Sequence, residues 1–558
     1  MRKKLIVSLL TMSMVASVLS ACATKDVTNE SKESTVEDST VEKTVESSEV
    51  VSAEQDEELA LDCLAGTEIT IAVRSTPVES FDGYEAAERI YEDTGIKVNW
   101  MIVDTATYKE KTATMLAGDM PDMMIGLVKA DTISSDPDLF YDLSEEGLLE
   151  TYAPDVYEDY NTAGQAAWDT VTWPDGSIRG LLIGDETYID GEAKNIYFIN
   201  TAWLDQLGLK KPTTTDELYD VLCAFRDNDM NGNGDKTDEI PLLLADSSGF
   251  AKISPFANFF GIAGDGADNI DLGKMVKDGK VVSVFDTQQY RDYIEYMHKL
   301  MADGLLDVEY FSQSSEQISN KQAAGLAGVV GLWKPTSGLD VELAKNYDWL
   351  GVIKADDDVE YIVSGKKDAF NASIGAAISA ETENVEACLW VWNYLSSDPF
   401  LHKTATRGPE GVWWEVVDNQ IKEIPAAERV FPEGYDASNW IAKTSILNTG
   451  HAPFMTADDV EEYIYSAEPV EGDRRYYINK IHDYIQAEYV PSKNLPSDKV
   501  EEFNELNVEL EAYIDNFVAK SIVEGLTDAD WEEHLKQLEG LKYQEWLDWY
   551  QWLIDVEF

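Results

Sequence analysis

Between Thr67 and Val128 the chain alternates between two textures, and this alternation limits its fold more than any other feature. "TEITIAVRS" reads as a strand, "SFDGYEAAERIYEDTG" as a helix stopped by Gly95, and "IKVNWMIVD" as a second strand. "ATYKEKTATMLAGD" follows as a helix and "MPDMMIGLV" as a third strand. Strands alternating with helices predict βαβ units on a parallel sheet, with right-handed crossovers placing helices on both faces. The texture returns further on. "NIYFINTAWLDQLGL" joins a strand to a short helix, and "TTTDELYDVLCAFRD" is a helix with Thr214 and Glu217 at capping-box spacing. Its stripe of Leu218, Val221, Leu222 and Phe225 is core packing. "RDYIEYMHKLMADGLLD" is another amphipathic helix, "AGVVGLWKP" and "NASIGAAIS" are buried strands, and "NVEACLWVWNYLSSD" is a helix. From about residue 475 the chain reads as mostly helical and ends in "YQEWLDWYQWLIDVEF". At 558 residues it exceeds what one core usually covers.

The N-terminus fixes the compartment. "MRKK" is a positive region, and "LIVSLLTMSMVASV" is apolar but too short to span a bilayer stably. "LSAC", Leu19 to Cys22, resembles a bacterial lipobox, which implies cleavage before Cys22 and a palmitate-type lipid on its sulfur. Residues 22–65 are Ser, Thr, Glu, Asp and Val in low complexity, the composition of a disordered acidic tether. A flexible segment of that length reaches roughly 35 Å, enough to lift a folded body off a membrane.

Charge and cysteine content remove several functions. A formal charge of −63 opposes any phosphate backbone, so nucleic acid is excluded as a partner. With Cys22 taken by lipid, Cys63, Cys223 and Cys388 remain, an odd set that implies no disulfide framework.

The stretch "RDNDMNGNGDKTDEIPLLL", residues 226–244, alternates carboxylates and amides around glycines. Asp229, Asn231 and Asn233 stand at alternating positions, Asp235 offers a backbone carbonyl, and Asp238 and Glu239 close the loop. Hard oxygens in this pattern suit Ca²⁺, and the loop holds no His or Cys for Zn²⁺. A register starting at Asp227, with Gly232 sixth and Asp238 twelfth, fits EF-hand spacing equally well. A helix enters this loop but a strand leaves it, unlike a true EF-hand. A loop that supplies most ligands itself is closed, so the ion is read as structural rather than catalytic.

The lipobox, "LAGDMPDMM", "TAWLDQLGLKKPTTTDELYDVLCAFRDNDMNGNGDKTDEIPL", "YMHKLMADGLLD", "AGVVGLW" and "RGPEGVWWEV" occur in order. Together they resemble the extracellular solute-binding lipoproteins of bacterial ABC sugar importers. The nearest resemblance is to the large oligosaccharide-binding members, similar to alginate-oligosaccharide binders and their Gram-positive relatives, over roughly residues 66–500. The resemblance implies an α/β, two-lobed fold of the periplasmic-binding-protein type II kind, with a ligand cleft between lobes and extra C-terminal helices. It implies a structural Ca²⁺ held by Asp229, Asn231, Asn233, Asp238, Glu239 and the Asp235 carbonyl. It also implies a monomer, lipid-anchored on the outer face of the cell membrane, serving ABC permease subunits. The domain expectation is a signal peptide at 1–21, the tether at 22–65, a first lobe at 66–190 and a second lobe with the calcium loop at 191–365. Residues 366–558 are expected to return to both lobes and end in helices.

A sugar offers apolar C–H faces and a rim of hydroxyls, so its site needs flat aromatics and planar polar groups in a cleft. Trp333 at the end of "GLWKP", where the chain is expected to cross between lobes, Trp413 and Trp414 in a turn-like "GPEGVWWEV", and Trp173 in "TWPDG" are the candidates. Arg74 ends the first strand, where open α/β sheets place ligands. Hinges are expected near 185–195, 333–340 and 365–372. A lipid-anchored glycosidase is the rival reading, although 106 acidic residues make any carboxylate pair uninformative. A peptide-binding importer receptor would share the two-lobed shape.

Overall fold

The computed structural model describes residues 64–557 apart from 77, 146, 186–192, 194, 426–427, 438, 448 and 465–471. The signal segment, Cys22, Cys63, nearly all of the tether and most of the 185–195 hinge lie outside the described residues. In chain order the strands are β1 (Glu68–Ser75), β2 (Lys97–Asp104), β3 (Met123–Ile125), β4 (Leu181–Ile183), β5 (Ile196–Asn200), β6 (Ile240–Leu243), the hairpin β7–β8 (Lys274–Lys277, Lys280–Ser283), β9 (Ala327–Leu332), β10 (Tyr347–Trp349), β11 (Ser373–Ile378) and the hairpin β12–β13 (Trp414–Val417, Gln420–Glu423). Six helices matter below: α1 (Thr215–Asp227), α2 (Gln288–Ala302), α3 (Pro399–Arg407), α4 (Ser497–Glu524), α5 (Asp528–Gly540) and α6 (Tyr543–Asp555).

Two sheets carry two separate apolar cores. The first runs β2-β1-β3-β11-β4, the second β10-β5-β9-β6. Val73, Met124, Leu182, Ala377 and Trp392 belong to the first core. Phe198, Leu222, Phe225, Tyr293, Val329 and Trp546 belong to the second. Strands β5 and β9 are buried at every residue, as covered central strands must be. The sheets are mixed rather than purely parallel. β1 pairs β2 and β3 in parallel, whereas β11 runs antiparallel to both β3 and β4. The reason is connectivity: β11 reaches the first sheet after an excursion through the second, so no βαβ crossover dictates its direction.

Local capping follows the sequence with one change. Thr214 accepts the Glu217 amide at 3.2 Å, but the Glu217 carboxylate reaches past it to the Thr213 amide and hydroxyl, both at 2.8 Å. The expected crossing at 333–340 does not occur. The chain goes from β9 to β10, both in the second sheet, whereas 365–372 does lead from the second sheet to β11 in the first.

The C-terminal helices belong to the second core through Leu510, Ile514, Trp531 and Trp546. Their entry is tied to the first lobe. The Asn494 amide donates to the Thr170 and Thr172 carbonyls at 2.8 and 3.1 Å, and the Ser497 hydroxyl donates to the Ser134 carbonyl at 2.7 Å.

Candidate functional site

Where the two sheets meet, a cavity of about 370 Å³ is lined by Asn195, Asn258 and Ser364 from one side and Asn371, Ala372 and Ser373 from the other. Its wall is polar and ordered. The Ser364 hydroxyl donates to Asn258 at 2.8 Å while accepting the Gly264 amide at 3.0 Å. Asn195 Oδ1 is buried with no hydrogen-bond partner. Burying an acceptor without a donor is costly, and a ligand hydroxyl is the kind of group that removes the cost.

Arg74 lies one residue before the end of β1, with its guanidinium 3.7 Å over the Tyr108 ring and its Nε buried without a partner. Beside it, Gly126 has φ of +71° directly after β3, and any Cβ there would run into the His451 imidazole. That imidazole is held down to about 4, by burial first and then by the Arg74 charge.

Trp333 directly follows β9, in the second sheet. The Arg474 guanidinium covers its ring at 3.4 Å and donates to the Trp333 carbonyl at 2.8 Å and to that of Ala193. Phe250 adds a ring at 5.4 Å.

Trp414 begins a hairpin, and Trp413 sits in the bend just before it. Trp414 is buried and donates from its indole to the Gly408 carbonyl at 2.8 Å. Trp413 is half-buried, with the Arg429 guanidinium 3.7 Å from its ring and Arg407 at 5.6 Å. Trp173 sits in its expected turn, yet its side chain is buried in the first core and donates to the Ser134 hydroxyl at 2.9 Å. Packing accounts for Trp173 and Trp414; Arg74, Trp333 and Trp413 keep part of their surface open.

The acidic loop leaves α1 and enters β6. The Asp229 carboxylate accepts the Gly232 and Gly234 amides, both at 2.8 Å. Asn231 and Asn233 donate to Asp238 at 3.3 and 2.6 Å, and Asp235 accepts the Thr237 amide at 2.9 Å. Glu239 Oε1 accepts the Met230 amide at 2.7 Å, and its Oε2 is buried without a partner. Asp227 turns away and pairs with Arg226 at 2.8 Å. Among the described residues no group of three His, Cys, Asp or Glu side chains is arranged to hold a metal. An oxygen-only donor set and the orphaned Glu239 oxygen nevertheless fit a hard cation.

No family model matches the chain. The fructooligosaccharide ABC transporter substrate-binding protein FusA of Streptococcus pneumoniae is 23% identical over 494 residues, 85% of this chain and 87% of the relative. Its structure in complex with kestose matches with a TM-score of 0.74 at 21% identity, covering 88% of this chain and 99% of that one. By sequence and by fold, the chain is similar to extracellular solute-binding proteins. An EF-hand mutant of FusA with fructo-nystose bound matches equally, with a TM-score of 0.74 at 20% identity. A solute-binding protein of Bifidobacterium longum subsp. infantis gives 0.74 at 22% identity, covering 88% of this chain and 98% of that one. Lipoprotein LipO of Bacillus subtilis is 28% identical over 265 residues, 46% of this chain and 47% of the relative.

Sequence reasoning missed Arg407 and Arg429 beside Trp413, Arg474 on Trp333, Tyr108 under Arg74 and His451 against Gly126. One signal was present. With 43 basic against 106 acidic residues, an arginine in a turn such as "TRGPEG" is unusual in this chain. A larger groove of about 1220 Å³ lies on the C-terminal helices beside Trp549 and Trp552, and no strand end opens into it.

Proposed function

We propose that this protein is the substrate-capturing component of an ABC oligosaccharide importer, taking a glycan between its lobes and presenting it to the permease subunits in the membrane. The observations that support this reading are a polar cavity lined from both sheets and, elsewhere, two partly open indoles, Trp333 and Trp413, each backed by an arginine. Indoles supply flat apolar surface to the sugar C–H face, and the arginines, Asn195, Asn258 and Ser364 supply donors and acceptors to its hydroxyls. The lobes close about 365–372, the segment that leads from the second sheet back to the first. Closure is driven only by the extra affinity of the closed state for the ligand.

Asp229, Asn231, Asn233, Asp238, Glu239 and the Asp235 carbonyl would hold Ca²⁺, and the engagement of Asp227 with Arg226 supports the register that starts at Asp229. Such an ion neutralises the loop's carboxylates and pins α1 to β6. Cys22 carries the lipid, holding a monomer at the outer face of the cell membrane. The test is a thermal-shift screen of the mature chain with Ca²⁺ against mono- and oligosaccharides and peptides. A rise with one glycan class is expected. A rise with peptides alone, or slow release of reducing sugar, would contradict the reading.

A further inference from the structure

The segment "AGDGAD", residues 263–268, has the composition of a loose glycine turn and is instead clamped. The Gly264 amide donates to the Ser364 hydroxyl at 3.0 Å. Its carbonyl accepts the Gly365 amide at 3.0 Å and the Gln486 side-chain amide at 3.1 Å. A Cβ at Gly264 would stand 2.8 Å from the Asp271 carbonyl oxygen, and one at Gly266 would collide with the Asp271 carboxylate. Both flanks must therefore be glycine, because only glycine lets the backbone approach so closely. The residue between them, Asp265, is presented to the cavity between the two sheets. Among the described residues that line this cavity, Asp265 is the one carboxylate and Lys366 the one cation.

Two buried groups hold this carboxylate from behind. The Gln486 amide nitrogen donates to Asp265 Oδ1 at 2.9 Å and to the Gly365 carbonyl at 2.7 Å. The Lys274 ammonium stands 3.6 Å from Asp265 Oδ2 and 4.1 Å from the centre of the Tyr550 ring. Its charge offsets part of the cost of taking a carboxylate out of water. The pair differs from the ones this chain builds for the fold. Asp307 meets Lys321 and Asp348 meets Lys211, each at 2.6 Å. Asp265 instead stands off its lysine and keeps 20% of its side chain open. A carboxylate only accepts, and its two oxygens offer about four acceptor positions. Gln486 fills one of them, so the cavity side is left for donors that a ligand brings. Two neighbouring hydroxyls of a sugar ring are such donors, set close enough to meet both oxygens. Hydrogen bonds to an ionised acceptor are the strong kind.

We infer that Asp265 is the specificity-determining residue of this cavity: its carboxylate accepts two adjacent hydroxyls of one sugar residue and so selects the configuration of the carbons that bear them. This rests on the oligosaccharide-capture reading and adds the residue that reads the sugar ring. The test is calorimetric titration of the mature chain with cellotetraose, its epimer β-mannotetraose, maltotetraose, xylotetraose, a fructo-oligosaccharide and a galacturonate tetramer. D265N should weaken the best ligand of the panel roughly thirtyfold, the loss expected for hydrogen bonds to a charged acceptor. It should also shrink that ligand's lead over the next one by about tenfold, because the amide accepts from only one of the two hydroxyls. D265N leaves the Lys274 ammonium without its nearest anion, so Tm is expected to fall as well. The double variant D265N/K274M removes the buried cation and should recover Tm but not affinity. Recovery of affinity in the double variant would make Asp265 a counterion only and overturn the inference. A D265N protein that keeps the parent's affinity, or loses it equally across the panel with the ranking unchanged, would overturn it too. Either result leaves the importer reading intact; a parent chain that binds no glycan would end both.

Discussion

The acidic loop at Asp229–Glu239 and the basic wall around Trp413 are both clusters of charge, yet they are built in opposite ways. The loop gathers its oxygens from eleven consecutive positions of the sequence and satisfies them largely among themselves. The wall gathers its cations from α3, the segment after β13 and the turn after β9, and among the described residues the buried indole N–H of Trp413 has no acceptor. The difference teaches that polar groups satisfied among themselves serve the fold, whereas those left unmet at a boundary between elements serve a ligand.

Acidification should weaken the fold while sparing the loop, without any mutation. The wall's lobe contains His402, bonded to the Pro453 carbonyl at 3.2 Å, and His451, both held down to about 4 mainly by burial. Buried His534, between Phe285 and Tyr513, is depressed likewise to about 4 for the same reason. The loop has no histidine. A histidine whose folded pKa lies below its unfolded value contributes stability above about pH 6.5 that is lost as pH falls towards 4, by up to about 1.4 kcal/mol per pH unit for each fully buried one. For His534 that amounts to about 3 kcal/mol over the window, and partial exposure makes the other two smaller. Chemical denaturation at pH 7.5 and 5 should therefore show a fall, while calcium affinity holds. A His534→Gln variant with the same slope as the parent would remove this explanation.

Next in size is the loop itself. At calcium a hundredfold above its dissociation constant, the ion should add about 2.7 kcal/mol of stability. Chelator should lower Tm in the parent and not in D229A, and neither change should alter the sugar-to-sugar preference. An identical Tm for both proteins in calcium and in chelator would remove the ion from the account.

The wall should show the reverse pattern. W413A should weaken glycan binding by about 2 kcal/mol, roughly thirtyfold, with Tm nearly unchanged, because a half-open anchor contributes to binding more than to folding. Equal losses of Tm and affinity would make Trp413 a core residue like Trp414. The smallest effect is expected at the strap. N494A frees the entry to α4 from the Thr170 and Thr172 carbonyls and should cost about 1 kcal/mol. It should ease lobe motion, read as faster ligand exchange.

What the sequence made legible follows the same division. The loop, the two α/β halves and the α1 stripe were readable because their information is local: alternating donors, period-2 runs and a period-3.6 stripe. The antiparallel entry of β11 was not, because its pairing is set by a return from the other lobe. Trp413 and Trp414 were taken together as turn aromatics, yet only Trp413 lies in a bend, whereas Trp414 starts the first strand of the hairpin and is buried. The signal for that hairpin was weak, since Asp418 and Asn419 adopt φ of 52° and 65° without the glycine that usually marks such a turn. Arg429 and Arg407 lie in separate segments, and no local pattern predicts that they share one indole.

The most direct test of the account is a crystal structure of the mature chain with the best-binding oligosaccharide. The account predicts the glycan in the cavity between the two sheets, in contact with Asn195 and with Trp333. A glycan seated instead in the groove beside Trp549 and Trp552, with the cleft open and empty, would contradict it.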